Sequence, residues 1–205
     1  MDSEFLSYRK LLVGFLAIMI AGVATADDLL QTASYRKPDA DLSRYTKLLI
    51  APLDMSDVKI VRPPSAKDDP RKWVFKYQDR RITERLFSEI ISEALTKNDG
   101  YQVVEEPDDD VLQIEIEILS IMPYVRPGTS SGKGKITTLG SGEVVGTAEL
   151  RDSRTRELLL LVEGERTIGE EYKVFNRENN LSNIEHLFST WGKRLRSLMD
   201  QIHDK

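Results

Sequence analysis

The chain has no cysteine, and that absence closes several routes at once. There is no disulfide, no thiolate nucleophile, no cysteine-ligated metal and no cysteine to carry a lipid anchor. In an exported protein the fold must then rest on its core alone, which a domain of roughly 150 residues can do. Histidine is nearly as scarce. Only His186 and His203 occur, neither has a second nitrogen ligand at helical spacing, and no zinc site or other cofactor is expected. A basic excess is missing too. With 29 lysines and arginines against 34 acids the net charge is −5. That argues against nucleic acid, whose binding needs a concentrated basic surface, and against binding a membrane surface by charge.

An apolar run of about 20 residues, the length a spanning helix needs, is also absent. The longest run, Leu11 to Ala24, follows Arg9 and Lys10 and ends at Ala24-Thr25-Ala26. This is the pattern of a secretory signal peptide cleaved after Ala26, and it places the mature protein in the periplasm. Asp2 and Glu4 dilute the positive start, so retention as an uncleaved anchor is the alternative, and membrane contact is expected only then. The remaining composition, 40% hydrophobic and 31% charged over 205 residues, suits one ordinary domain after a leader.

What is present is dominated by Asp110 to Met122. Leu112, Ile114, Ile116 and Ile118 alternate with Gln113, Glu115 and Glu117, the period-two pattern of a strand with one buried and one wet face. Leu119 and Ile121 then put apolar groups on the formerly wet face. A long central strand of antiparallel type is expected. Before it, residues 27–46 read as an extended lead-in, and the domain proper as 47–205. Lys47 to Leu53 reads as a buried strand that Asp57 to Val61 continues, and the prolines of Val61 to Lys72 as a surface loop.

Two amphipathic helices are expected. The first covers Gln78 to Lys97 with Asp79 as N-cap and Asn98-Asp99-Gly100 as the stop. The second carries Ile184, Leu187, Phe188, Trp191, Leu195, Leu198, Met199 and Ile202 on one stripe, starting from a capping box at Ser182 to Glu185. Gly192 suggests close packing against the sheet. Tyr101 to Val104 is a short strand, and Glu143 to Arg151 with Glu157 to Arg166 a hairpin. The glycine-rich segment between Pro123 and Gly142 is the longest irregular and most mobile stretch. The fold class is therefore α+β, a single domain with a mostly antiparallel four- to five-stranded sheet and both long helices on one face.

Candidate chemistry is thin. Gly128 to Gly132 matches G-x-S-x-G, and Ser130, Asp152 and His186 stand in the chain order of a hydrolase triad. A nucleophile elbow needs a strand before it and a helix after it, and Pro123 and the GKGKITT stretch supply neither. A flexible loop is the expected reading, with the hydrolase as the alternative. Gly128 to Lys133 falls short of a phosphate loop by one spacer and lacks the final Ser or Thr. Gly140-Ser141-Gly142 precedes a strand and lacks a third glycine. The acidic run Glu105 to Asp110 has neither the ligand spacing nor the glycine of a calcium loop. Tyr124 and Arg126, with the alternating aromatics Trp73, Phe75 and Tyr77 read as a short edge segment, are the candidates for a partner surface if exposed.

YTKLLIAPLDMSDV, PDDDVLQIEIEI, GTAELRDSRTRELL and HLFSTWGKRLRSLMD resemble successive blocks of the bacterial domain-of-unknown-function family thirty-three thirteen, over about Tyr45 to Asp200. The signals are the strand after Asp110, Asp152 with Thr155 in the hairpin turn, and Trp191 with Leu195 and Leu198. The resemblance implies an exported envelope protein. Two departures stand out: the lipoprotein cysteine is missing, and Arg156 occupies a place where a turn glycine is usual. The element order also looks like small α/β domains of envelope assembly factors, at the level of fold alone. The expectation is a non-catalytic periplasmic interaction or scaffold module with an envelope protein or a second copy as partner. A small apolar or cell-wall ligand held between sheet and helices is a further alternative.

Overall fold

The computed structural model describes residues 33–127, 129 and 136–204. The signal segment and most of the G-x-S-x-G stretch, Ser130 included, lie outside the described residues, as does the phosphate-loop candidate beyond Pro127 and Thr129.

Everything is built on Val111–Pro123 (β5). Its even residues Leu112, Ile114, Ile116 and Ile118 are at most 5% exposed, as the alternation requires, but the expected wet face is covered, with Gln113 buried and Glu115 and Glu117 half-buried. The strand is not of antiparallel type throughout. On one side it pairs antiparallel with Gly142–Asp152 (β7), on the other parallel with Lys47–Ile50 (β2) and Lys59–Ile60 (β3). Tyr35–Arg36 (β1) and Leu158–Ile168 (β8) extend one flank, and Gln102–Val103 (β4) the other, giving the order β1-β8-β7-β5-β2-β4 with β3 beside β5. Among the described residues the sheet is thus mixed and seven-stranded, larger than the four or five strands expected. The expected strand at Tyr101 to Val104 is β4; the shortfall is β1, inside the lead-in, and β3, read as a continuation of β2, and each holds two residues, too few to show a period.

A bulge resets the pattern late in β5. Ile118 faces Gly146 and Ser120 faces Val145, so Leu119 is the extra residue. A one-residue shift flips every later side chain. Leu119 is pushed to the surface at 39% exposure, and Ile121 returns to the side of Ile118, where both line one cleft. The expected transfer of Ile121 to the wet face is corrected accordingly.

Tyr77–Thr96 (α1) and Arg177–Ile202 (α2) pack together. Phe87 meets Phe188 edge to face at 5.5 Å, and Leu195, Leu198 and Trp191 sit over Ile116, Leu150 and Leu160. Trp191 is half-buried and tilted against Phe188. Both expected caps are displaced. α1 starts at Tyr77 after Lys76, which makes no side-chain cap bond. α2 starts two turns early, with Asn176 Oδ1 accepting from Asn179 N–H at 2.8 Å, so the Ser182 box lies inside the helix. Gly192 serves helix packing, not sheet packing: a Cβ there would lie 2.6 Å from the Cβ of Ala94 on α1. Asn98 and Asp99 take left-handed φ values of 52° and 54°, a firm stop. The carbonyl of Lys97, left over at that end, accepts from the Arg196 guanidinium at 2.8 Å.

Three further expectations change. The lead-in contributes to the fold from Ala33 onward, with Leu42 and Tyr45 buried in the core. Trp73 to Tyr77 is no edge strand; a short 3-10 turn, Pro70–Lys72, leads through irregular chain into α1. Inside the glycine-rich segment, Thr137–Leu139 (β6) pairs antiparallel with Tyr172–Val174 (β9). The hairpin turn, by contrast, is as read: Arg156 stands at φ 64°, in the left-handed region that a turn glycine takes more cheaply.

Candidate functional site

At one end of the sheet the first turns of α1 and α2 and the end of β5 border a cleft. Past the Leu119 bulge, Ile121 and Pro123 carry the sheet on beneath the first turns of both helices. Between them lies a cavity of about 530 Å³. Its floor is apolar: Met55, Ile118, Val144 and Phe188 line it, each at most 4% exposed. Ile82 of α1 and Ile184 of α2 form facing walls. Polar groups interrupt the walls, and two of them engage each other, Ser141 donating to Asn180 at 2.8 Å. Buried Asn183 donates to the Ser141 hydroxyl at 2.9 Å.

The cleft has a charged border. Lys76 directly precedes α1 and Arg177 opens α2; both line the cleft and both are exposed. Among the described residues neither takes part in an ion pair. Asp79 lies in the first turn of α1 on the same wall. Sequence reading passed over Lys76 and Arg177. The signal that could have found them is their placement: a cation at the positive end of a helix is electrostatically unfavourable there, so two of them ask for a reason other than stability.

The partner candidates part company. Trp73 is buried, its indole N–H donating to Asp68 at 3.1 Å, and presents no face to a partner. Phe75 is half-buried on the cleft wall. Tyr77 is 74% exposed. Tyr124 donates its hydroxyl to Glu143 at 2.7 Å, and burial followed by that carboxylate pushes the phenol up to about 12. Arg126 pairs with Asp68 at 3.1 Å, so Trp73 and Arg126 share one acid as an anchor.

Of the hydrolase residues, Asp152 is buried where β7 ends opposite Leu112. Its carboxylate accepts from Tyr45 O–H at 2.9 Å and from the N–H groups of Arg154 and Thr155 at 3.0 and 2.8 Å. Burial works against the anion, but the Thr155 N–H and Tyr45 O–H bonds outweigh it and hold the acid below the usual carboxylate range. Burial and the same bond push the Tyr45 phenol up to about 12. His186 is exposed on the half of α2 that lies over the other end of β5, and the two residues share no hydrogen bond. The acidic run behaves as a turn: Asp109 pairs with Arg154 at 2.8 Å and Asp110 with Lys47 at 3.0 Å. Among the described residues no cluster of three or more histidine or acidic side chains could hold a metal, and no helix is long and apolar enough to cross a membrane.

No curated protein matches the chain in sequence. Among solved structures it is similar to protein XCC0632 from Xanthomonas campestris, at 9% identity over 84% of this chain and 94% of that one, TM-score 0.45. It is also similar to a PelC dodecamer from Paraburkholderia phytofirmans, at 13% identity over 77% and 91% of the two chains, TM-score 0.36. A third is a putative neuraminyllactose-binding hemagglutinin homolog from Helicobacter pylori, at 11% identity over 83% and 94%, TM-score 0.37. A family model described as "Protein of unknown function (DUF3313)" matches residues 23–195, and the chain belongs to that family.

Proposed function

We propose that the protein is an exported, non-catalytic binding module of the bacterial envelope, and that it binds an apolar ligand in the cleft beneath the first turns of α1 and α2. The cleft carries the reading. Its volume of about 530 Å³ falls inside the roughly 300–1,000 Å³ of ligand sites, and like them it is mostly apolar with polar groups at its edge. Export is supported by Arg9-Lys10, the run to Ala24 and Ala24-Thr25-Ala26. Binding without chemistry is supported by Asp152, whose carboxylate is already engaged in holding a turn.

The test uses N-phenyl-1-naphthylamine, a neutral apolar probe that brightens out of water. The full chain should bind one equivalent. Ile184→Trp and Ile82→Trp, which fill the cleft from opposite walls, should each abolish binding while the thermal melt stays cooperative. Unaltered binding by both filled variants, or none by the folded parent, overturns the reading.

Tyr77 favours a second reading, a protein partner or a second copy. An aromatic ring 74% exposed at a helix start is a natural anchor. A photo-crosslinker at Tyr77 in intact cells that captures one envelope protein, or this chain itself, supports it; scattered neighbours remove it.

A further inference from the structure

We infer that the ligand of the cleft is a single-chain amphiphile with an anionic headgroup, the acyl chain lying over Phe188, Ile118 and Met55 and the headgroup held between Lys76 and Arg177. The inference rests on the cleft being a binding site and adds the ligand's chemistry.

The argument is one of charge in the wrong place. Acidic residues suit the first turn of a helix and cations the last, because the backbone dipoles leave positive charge at the start. Here Lys76 and Arg177 sit at the two helix starts, both on the cleft wall. Near this end of the molecule Arg126 is paired with Asp68 at 3.1 Å and Lys173 with Glu171 at 2.9 Å. Lys76 and Arg177 have no such partner among the described residues. The one acid lining the cleft, Asp79, leaves the border with a surplus of positive charge. The start of α1 adds its own positive dipole end, where the Lys76 side chain makes no cap hydrogen bond. α2 differs, its Asn179 N–H being taken by Asn176. An uncharged ligand would leave both cations misplaced. A carboxylate or phosphate on the end of an alkyl chain would satisfy them while its tail covers the apolar floor.

The experiment displaces N-phenyl-1-naphthylamine from the full chain with laurate, with dodecyl phosphate and with dodecanol, which share a tail and differ in the head. Laurate and dodecyl phosphate should each compete about tenfold better than dodecanol, the order expected of two charge-assisted contacts at a half-open mouth. The double variant Lys76→Gln, Arg177→Gln should erase that preference, bringing both anions level with dodecanol. Without ligand it should melt at the same temperature as the parent or slightly above, because two unfavourable charges are gone. If the probe does not bind, the cleft reading itself fails. If the probe binds and the three competitors are equal, or if the double variant keeps the preference, the headgroup inference fails alone. Preference for only one of the two anions keeps the inference and identifies which head the site takes.

Discussion

Gly192 gives the sharpest test of how the two helices meet. In an isolated helix Gly→Ala is favourable by about 1 kcal/mol, because alanine loses less backbone freedom. At this position the new Cβ would lie 2.6 Å from the Ala94 Cβ, whereas Ile91 Cδ1 at 3.6 Å and Ile90 O at 3.8 Å are ordinary contacts. Carbon atoms pack best near 3.5–4.0 Å, so one methyl of α1 must retreat by about 1 Å. Overpacking of this kind costs about 1–3 kcal/mol. Gly192→Ala should therefore destabilise by up to about 2 kcal/mol net of the propensity gain. The decisive measurement is a double-mutant cycle by urea unfolding. Ala94→Gly alone should cost about 1 kcal/mol. In that background Gly192→Ala should become stabilising by a similar amount, since its only close neighbour has gone. Coupling of about 1–3 kcal/mol is expected. Additivity within about 0.5 kcal/mol, with Gly192→Ala stabilising alone, would refute the close approach of α1 and α2.

Four further outcomes follow from the packing and the polar network. Asp152 is held below the usual carboxylate range, so its contribution is complete above the unfolded value near 4 and lost as pH falls through the folded one; urea midpoints should drop over that acid window in the parent and drop less in Asp152→Asn. The Tyr45 phenol, pushed up to about 12, runs the other way: its contribution is complete below about 10 and lost as pH rises towards the folded value, an alkaline loss that Tyr45→Phe should remove. Phe188→Ala, at a side chain 2% exposed against Phe87, should cost about 3–5 kcal/mol, and half-buried Trp191→Ala about half as much; equal costs would place Trp191 deeper than its setting implies. Asn176→Ala should cost about 1 kcal/mol and Ser182→Ala much less, with the reverse order restoring the helix start at Ser182.

Long periodic segments declared themselves in the sequence. The β5 alternation and the α2 stripe each repeat over several turns or residue pairs, so the buried face follows from the order of residues alone. The left-handed stop at Asn98-Asp99 and the odd place of Arg156 were legible for the same reason, being local backbone requirements. What sequence could not reach depends on which segment lies beside which. Strands of two residues have no period, and β1 and β3 exist because β8 and β5 offer them a template. The Leu119 bulge is visible only in the register with β7, yet it decides that Ile121 faces the cleft. Trp73 is spent on Asp68, and Gly192 on a helix, because of neighbours distant in the chain. The cleft is wholly of this second kind. Its floor comes from residues as far apart as Met55 and Phe188, and its border from two cations 101 positions apart. Periodicity reports which face of one element is buried; only the assembled sheet and helices decide where two buried faces fail to meet.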